Sequence, residues 1–518
     1  MNSGEKQEKG VEMQMHWVEQ LAEKVKERYS PPYIVSGGMT TSGPTHFGTV
    51  CEFLFPGTVQ KVLKKQGYDT KFYFIADILD AFDSVPMSME QYKEVLEPHL
   101  GKPLCNVPDP TGKSKSFGDH YLDEAREIMK TMNLDVNLIR INEYYEQGKF
   151  DEHALFFIKN EKLAKEIIEE TSGRKLSNEF SVLMPICEQC GKIATTRVLS
   201  LSENEYEYIC DKDVKYTRGC GYKGKSKIEN HKYKLLWRIH WPSWHRILKT
   251  NLEGAGIDHH TKGGSYDTLK EIYLKMFKEE PPIAYRFGFI LFQGRKYSKS
   301  KGTGMGIAEL SKLIPPQMIA YSLLKPDLTE NIDIVPTKEN LMRLYDEFEK
   351  IGKISEETSE VELEKIDRAT QKKIQSYRLC PNGVKWKKSF GDILLAYQVY
   401  KDWKKVQEIM EDVEGVEYLK KYIENWVDMD FVPEQYEFRY IGQKTNDNDV
   451  RELIKNLKQG MGAIEIHNEI FEYSKKKNIE PEEMFRKMYT ALIGKEKGPR
   501  LGNLLFALGV ERVKKDLL

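Results

Sequence analysis

"PYIVSGGMTTSGPTHFGTVCEF", residues 32–53, passes from an apolar, β-branched run through small and hydroxyl side chains into a segment of helical character. Residues 33–37 predict a buried strand, and the chain from Phe47 onward predicts a helix. At such a turn the free backbone N–H groups and the positive helix end form a ready anion site. Gly37, Gly38 and Gly43 let backbone approach a ligand closely, and Gly48 leaves space against the first helical turn for a base or ribose. His46, set on that turn beside Thr45 and Thr49, can donate to a phosphate. A lone histidine there also suits a plain helix cap, so a second element has to decide.

Working outward, "EFLFPGTVQKVLKKQG" (52–67) continues the helix, with Pro56 expected to kink or restart it. "TKFYFIADILDAF" (70–82) begins as a continuous apolar run, the mark of a buried parallel strand, and ends in Asp77 and Asp80. Strand, helix and strand make a βαβ unit. Residues 87–180 read as mostly helical and polar. "HKYKLLWRIHWPSW" (231–244) reads as an apolar strand, after which "TKGGSYD" (261–267) opens a helix. "IAYRFGFILF" (283–292) is a further strand candidate. From about 337 the texture becomes helical throughout. In "EPEEMFRKMYTALIG", Pro481 suits a first helical turn, Met484, Met488 and Leu492 form one stripe, and Gly494 fits a C-terminal cap.

The 518 residues carry 79 basic and 80 acidic side chains, so any nucleic-acid partner must be held by local patches and not by a global field. No apolar run approaches the length of a membrane span. The first thirty residues lack the apolar core of a secretory signal; Trp17, Leu21 and Val25 instead recur at helical spacing. Of seven cysteines, Cys51, Cys105 and Cys380 stand apart, while Cys187, Cys190, Cys210 and Cys220 cluster. Four clustered thiolates in a large chain point to a closed, tetrahedral, structural Zn²⁺ site and a cytosolic setting.

The second element is "GRKYSKSKGTG" (294–304), which places Arg295, Lys296, Lys299 and Lys301 in a glycine-flanked loop after a strand. Such a loop can neutralise a triphosphate whose charge grows as pyrophosphate leaves. His46-Phe47-Gly48-Thr49 and Lys296-Tyr297-Ser298-Lys299-Ser300 resemble the two signatures of class I aminoacyl-tRNA synthetases. "SGGMTTSGPTHFGT", "FIADILDAFDSVP", "LGKPLCNVPDP", "LLWRIHWPSW", "GIDHHTKGGSYDTLKEI" and the late "GPRLG" are together similar to the archaeal-type class I lysyl-tRNA synthetases over nearly the whole chain.

That resemblance implies a Rossmann-like (HUP-type) α/β catalytic domain at 33–330, preceded by an amphipathic helix in 1–32. The domain would contain an insert at 87–232 with a zinc module near 183–228, and an all-α anticodon-binding cage would follow at 331–518. It implies that lysine is activated by ATP and Mg²⁺ and transferred to tRNA, with activation requiring bound tRNA, in a cytoplasmic monomer without membrane contact. His46, Lys296 and Lys299 would be catalytic. ATP would also meet Thr45, Gly48, Thr49, Asp258, Gly263, Gly264, Ser265, Ser298 and Ser300. Gly38, Thr40, Asp77, Asp80, Trp241 and His259 would line the amino-acid pocket, the two aspartates suiting an ammonium group.

The chain departs from the family pattern at Thr49, Tyr297, Ile78 and Asp83, and most in "HWPSWH", where His240, Trp244 and His245 replace Asp, Arg and Trp. A paralogue activating another amino acid or loading another acceptor is therefore the alternative reading. An RNA binder without activity leaves the lysine loop unexplained. A cytidylyltransferase-type enzyme leaves the helical region and the cysteine quartet unexplained.

Overall fold

The structure, a computed structural model, describes residues 14–296 and 305–518. The chain divides into two compact units, Met1–Ala308 with Ala320–Ile334, and Glu309–Ile319 with Val335–Leu518. The first is built on a five-stranded, all-parallel sheet of β1 (Tyr33–Met39), β2 (Thr70–Ala76), β3 (Asn137–Arg140), β4 (Leu252–Gly256) and β5 (Ile283–Phe287). Its spatial order is 3-2-1-4-5, the Rossmann arrangement, with the switch of direction between β1 and β4. Val35, Phe72 and Phe74 are fully buried, as expected of parallel strands covered on both faces.

The helix Phe47–Lys65 follows β1 and runs unbroken through Pro56, neither restarting nor stopping there. Proline cannot donate to the carbonyl four residues back, Glu52's. That carbonyl lies so close to β1 that a Cβ on Gly37 would stand 2.2 Å from it. The close approach of helix and strand thus requires glycine at 37. The N-terminal helix Trp17–Arg28 is capped by His16 and Glu19 and buries Trp17, Leu21 and Val25, with the Trp17 ring edge-on to Phe55 at 4.9 Å.

Two strand expectations need correction. Residues 231–244 form only a three-residue strand, Tyr233–Leu235, and then the helix Trp237–Leu248. Trp237, Trp241, Trp244 and Leu248 fall at helical spacing, and that period overrides the apolar content. Residues 283–292 form two strands in different sheets, β5 and Ile290–Phe292, the latter pairing with Ile332–Ile334. They part at Gly288, where a Cβ would come within 2.2 Å of the Glu330 carbonyl.

Between β3 and β4 lie the helices Asp151–Lys159 and Glu161–Ser172 and then a small β module. Leu183–Pro185 pairs antiparallel with Tyr233–Leu235, and Thr196–Leu201, Glu205–Cys210 and Lys223–Lys227 form a three-stranded antiparallel sheet. The second unit is helical, with no strand among its described residues. Met484, Met488 and Leu492 are fully buried in its core, Pro481 opens the helix Pro481–Ile493, and Gly494 closes it in the left-handed region at φ 70°. Among the described residues no helix is long and apolar enough to cross a membrane.

Candidate active site

A cavity of about 610 Å³ opens where the carboxyl ends of β1, β4 and β5 meet, the place where open α/β sheets bind ligands. Gly38, Met39 and Thr40 line it from β1, Gly254 to Asp258 from β4, and Phe287 to Ile290 from the end of β5. Asp77 and Asp80 enter from the turn after β2, and His46, Gly48, Thr49 and Glu52 from the helix start.

His46 is the N-cap of its helix: its Nδ1 accepts the Thr49 backbone N–H at 3.0 Å. An accepting Nδ1 carries no proton, so the ring's hydrogen sits on Nε2, the tautomer that donates outward. Cap and donor, the two readings of the sequence, are therefore one arrangement. The space at Gly48 has a nearer cause than a nucleotide: a Cβ there would lie 2.9 Å from the His46 ring. Glycine is needed so that the imidazole can fold over its own helix.

Asp77 and Asp80 meet an ammonium supplied by the chain itself. Lys234, almost fully buried, donates to both oxygens of Asp77 at 2.9 and 2.8 Å and to Asp80 Oδ1. Burial pulls the Lys234 ammonium toward neutrality, but the two carboxylates outweigh it and hold the group above its ordinary range. The other Asp80 oxygen accepts from the Thr40 hydroxyl at 2.7 Å. His240 packs behind this cluster, its Nδ1 2.9 Å from the Tyr145 hydroxyl and its Nε2 3.7 Å from Asp77. Burial first, and then the nearby Lys234 charge, push His240 well below the ordinary imidazole range, so it is neutral.

Two further carboxyl groups line the cavity. Glu253 of β4 accepts from Ser36 Oγ and from Trp241 Nε1 at 2.8 Å. Burial raises it to about 7, against the pull of those donors. Glu52 is raised well above its ordinary value by burial and then by the Glu253 charge. Trp237, Trp241 and Trp244 complete the wall, with Trp237 and Trp241 stacked at 5.6 Å and Trp244 edge-on to Trp237 at 5.5 Å. A pocket of aromatic faces with two desolvated carboxyl groups suits a cation.

Of the residues expected from sequence, Gly38, Thr40, His46, Gly48, Thr49, Asp77, Asp80, Trp241, Asp258 and His259 share this cavity. Thr45 is buried away from it, its N–H bonded to Glu124. Gly263, Gly264 and Ser265 lie off its wall. Arg238 holds the carbonyls of Gly263 and Gly264 at 2.8 and 3.0 Å, and Trp237 Nε1 donates to Ser265 Oγ. Lys296 is described in its backbone, which pairs with Leu291 beside the cavity-lining Ile290. Ser298, Lys299 and Ser300 lie outside the described residues. Sequence reasoning passed over Glu52, Lys234, Trp237 and Glu253, and met Trp244 only as a departure from the family pattern. Glu52 could have been found one helical turn beyond Thr49, and the tryptophans by their period.

The four clustered cysteines do converge, their Sγ atoms all within 4.8 Å of one another. Cys187 and Cys220 are 3.7 Å apart, as are Cys190 and Cys210. A tetrahedron with zinc–sulfur bonds of about 2.3 Å has sulfur–sulfur edges of about 3.8 Å. The donor set therefore fits Zn²⁺ and leaves no open position for catalysis.

A sequence model of the family described as tRNA synthetases class I (K) matches residues 15–379. A protein named lysine--tRNA ligase from Thermoplasma acidophilum is 30% identical across 97% of this chain and 98% of its own. One of the same name from Archaeoglobus fulgidus is 29% identical across 97% of this chain and 99% of its own. Among solved structures, a glutamate tRNA ligase from Elizabethkingia meningosepticum covers 93% of this chain and 98% of its own at 12% identity, with a TM-score of 0.40. By the extent of the family match and the 30% identity to a relative over nearly the full length of both chains, this chain belongs to the class I tRNA synthetases (K).

Proposed function

We propose that the protein is a lysine--tRNA ligase, joining lysine to ATP as the adenylate and passing it to the 3′-terminal adenosine of tRNA. The observation that carries this reading is one cavity holding the His46 turn and, beside it, Glu52 and Glu253 within an aromatic wall. A hydrogen-bond donor for phosphate and a cation site then lie side by side, as lysine activation requires. Asp77 and Asp80 already hold Lys234, so Glu52 and Glu253, the carboxyl groups beside the aromatic wall, are assigned to the substrate's ammonium. Gly38, Thr40, Trp241 and His259 complete the amino-acid side.

The lysine carboxylate is ionised at neutral pH, so attack on the α-phosphate needs no general base. Catalysis then rests on positioning and charge: His46 and the charges of Lys296 and Lys299, with the hydroxyls of Ser298 and Ser300, would neutralise the phosphates of ATP, which enters with Mg²⁺. Asp258, which lines the cavity, is assigned to the adenosine side. Cys187, Cys190, Cys210 and Cys220 would hold a Zn²⁺ that fixes the insert. The helical second unit reads the anticodon of tRNA(Lys) in the cytoplasm, by stacking and edge contacts to single-stranded bases.

ATP–pyrophosphate exchange with a panel of amino acids, with and without tRNA, tests the reading. Lysine-dependent exchange that needs tRNA, followed by charging of tRNA(Lys), is the expected result. Exchange with another amino acid and none with lysine replaces it with a paralogue.

A further inference from the structure

Lys234 has no place in the chemistry above, yet it is nearly excluded from solvent and makes three hydrogen bonds to the two acidic side chains on the cavity wall. It sits in the strand Tyr233–Leu235, opposite Met184 of the strand that leads into Cys187. One side chain thus ties the cysteine module to the end of β2. Through Asp80 it also reaches the substrate side, because the second Asp80 oxygen holds the Thr40 hydroxyl at 2.7 Å. Asp80 cannot turn without losing one partner or the other.

We propose that Lys234 is a positioning residue of the amino-acid site: its ammonium closes the Asp77–Asp80 pair to the substrate and, through Asp80, fixes the Thr40 hydroxyl. The proposal rests on the lysine reading given above. A carboxylate pair on the cavity wall, Asp77 buried and Asp80 partly exposed, would without a counter-ion itself attract the substrate's ammonium, so an internal cation at this point decides which carboxylates remain to read the substrate. Lys234 acts on the ground-state fit of the amino acid and not on the phosphates.

The test uses the full chain with tRNA and measures lysine-dependent ATP–pyrophosphate exchange. Lys234→Met is expected to raise the KM for lysine about tenfold, with kcat and the KM for ATP little changed, the mark of lost binding that is uniform along the reaction. In Lys234→Ala, propylammonium should lower that KM again in a saturable way, and propanol should not. Asp80→Asn leaves the paired oxygens of Asp77 on Lys234, so it keeps the fold if Lys234 variants do not; it should raise the lysine KM by a similar factor. The double variant Asp80→Asn with Lys234→Met should be no worse than the poorer single one. A lysine KM within twofold of the parent in Asp80→Asn or in folded Lys234→Met, or no response to the amine, overturns the proposal. Absence of lysine exchange in the parent enzyme overturns the lysine reading instead, so the two failures are distinct.

Discussion

The Nδ1 of His46 accepts the backbone N–H of Thr49 at 3.0 Å, so one imidazole caps the helix Phe47–Lys65 with its proton left on Nε2, and the same residue lines the cavity. The two roles can be separated. Asparagine is as good an N-cap as any residue but is too short to replace Nε2 at a phosphate. His46→Asn should keep thermal stability while lowering the rate of exchange by about 10²–10³, whereas His46→Ala should also lose roughly 1 kcal/mol of stability. Full activity in His46→Asn would show the ring to be only a cap.

Lys299 lies outside the described residues, and its expected role follows from charge alone. If its ammonium meets charge that develops as pyrophosphate leaves, Lys299→Ala lowers kcat strongly with little change in the KM for ATP. Steady-state exchange decides this: a raised KM for ATP with an unchanged kcat assigns the loop to ground-state binding.

Burial lifts the Glu253 carboxyl from 4.5 to about 7. The folded protein therefore keeps a proton that the unfolded chain has lost. The stabilisation linked to it is complete below about 4.5 and disappears as pH rises through 7. A bound ammonium favours the opposite state, the carboxylate. The neighbouring Glu52 is also raised, and burial holds His245, 3.4 Å from Glu253, neutral by lowering it to about 3. The KM for lysine should thus fall several-fold as pH rises from about 6 to about 8, and Glu253→Gln should flatten the profile. A lysine KM independent of pH in the parent enzyme removes Glu253 from the binding site.

With four sulfurs converging within 4.8 Å of one another, as the corners of a tetrahedral zinc site do, loss of one ligand should release the metal. Cys190→Ser is expected to drop zinc content from about one per chain toward zero and to lower the melting temperature of the insert. Cys51→Ser and Cys380→Ser should leave the metal content unchanged. Elemental analysis with a thermal scan separates these, and full zinc content in Cys190→Ser would refute the four-cysteine assignment.

Local patterns made much of this molecule legible. The β1 turn, the strand ending at Asp77, the stripe of Met484, Met488 and Leu492 and the Gly494 cap all depend on neighbours within a few residues, and all stand in the fold as read. The reading failed where a period and a composition disagreed. Residues 231–244 were apolar enough for a strand, yet their tryptophans kept a helical beat. It also failed at Gly288, where a carbonyl more than forty residues away divides one apolar run between two sheets.

By itself the sequence determined the strand-to-helix turn with His46, which is written in adjacent residues, and a cysteine set clustered within residues 187–220. Only the tertiary structure decided which charges face one another. Lys234 stands more than 150 positions from Asp77 and Asp80, and no local rule pairs them. In a desolvated interior each ammonium must find its carboxylates through space. That pairing exists only once the end of β2 and the strand Tyr233–Leu235 of the insert are packed together.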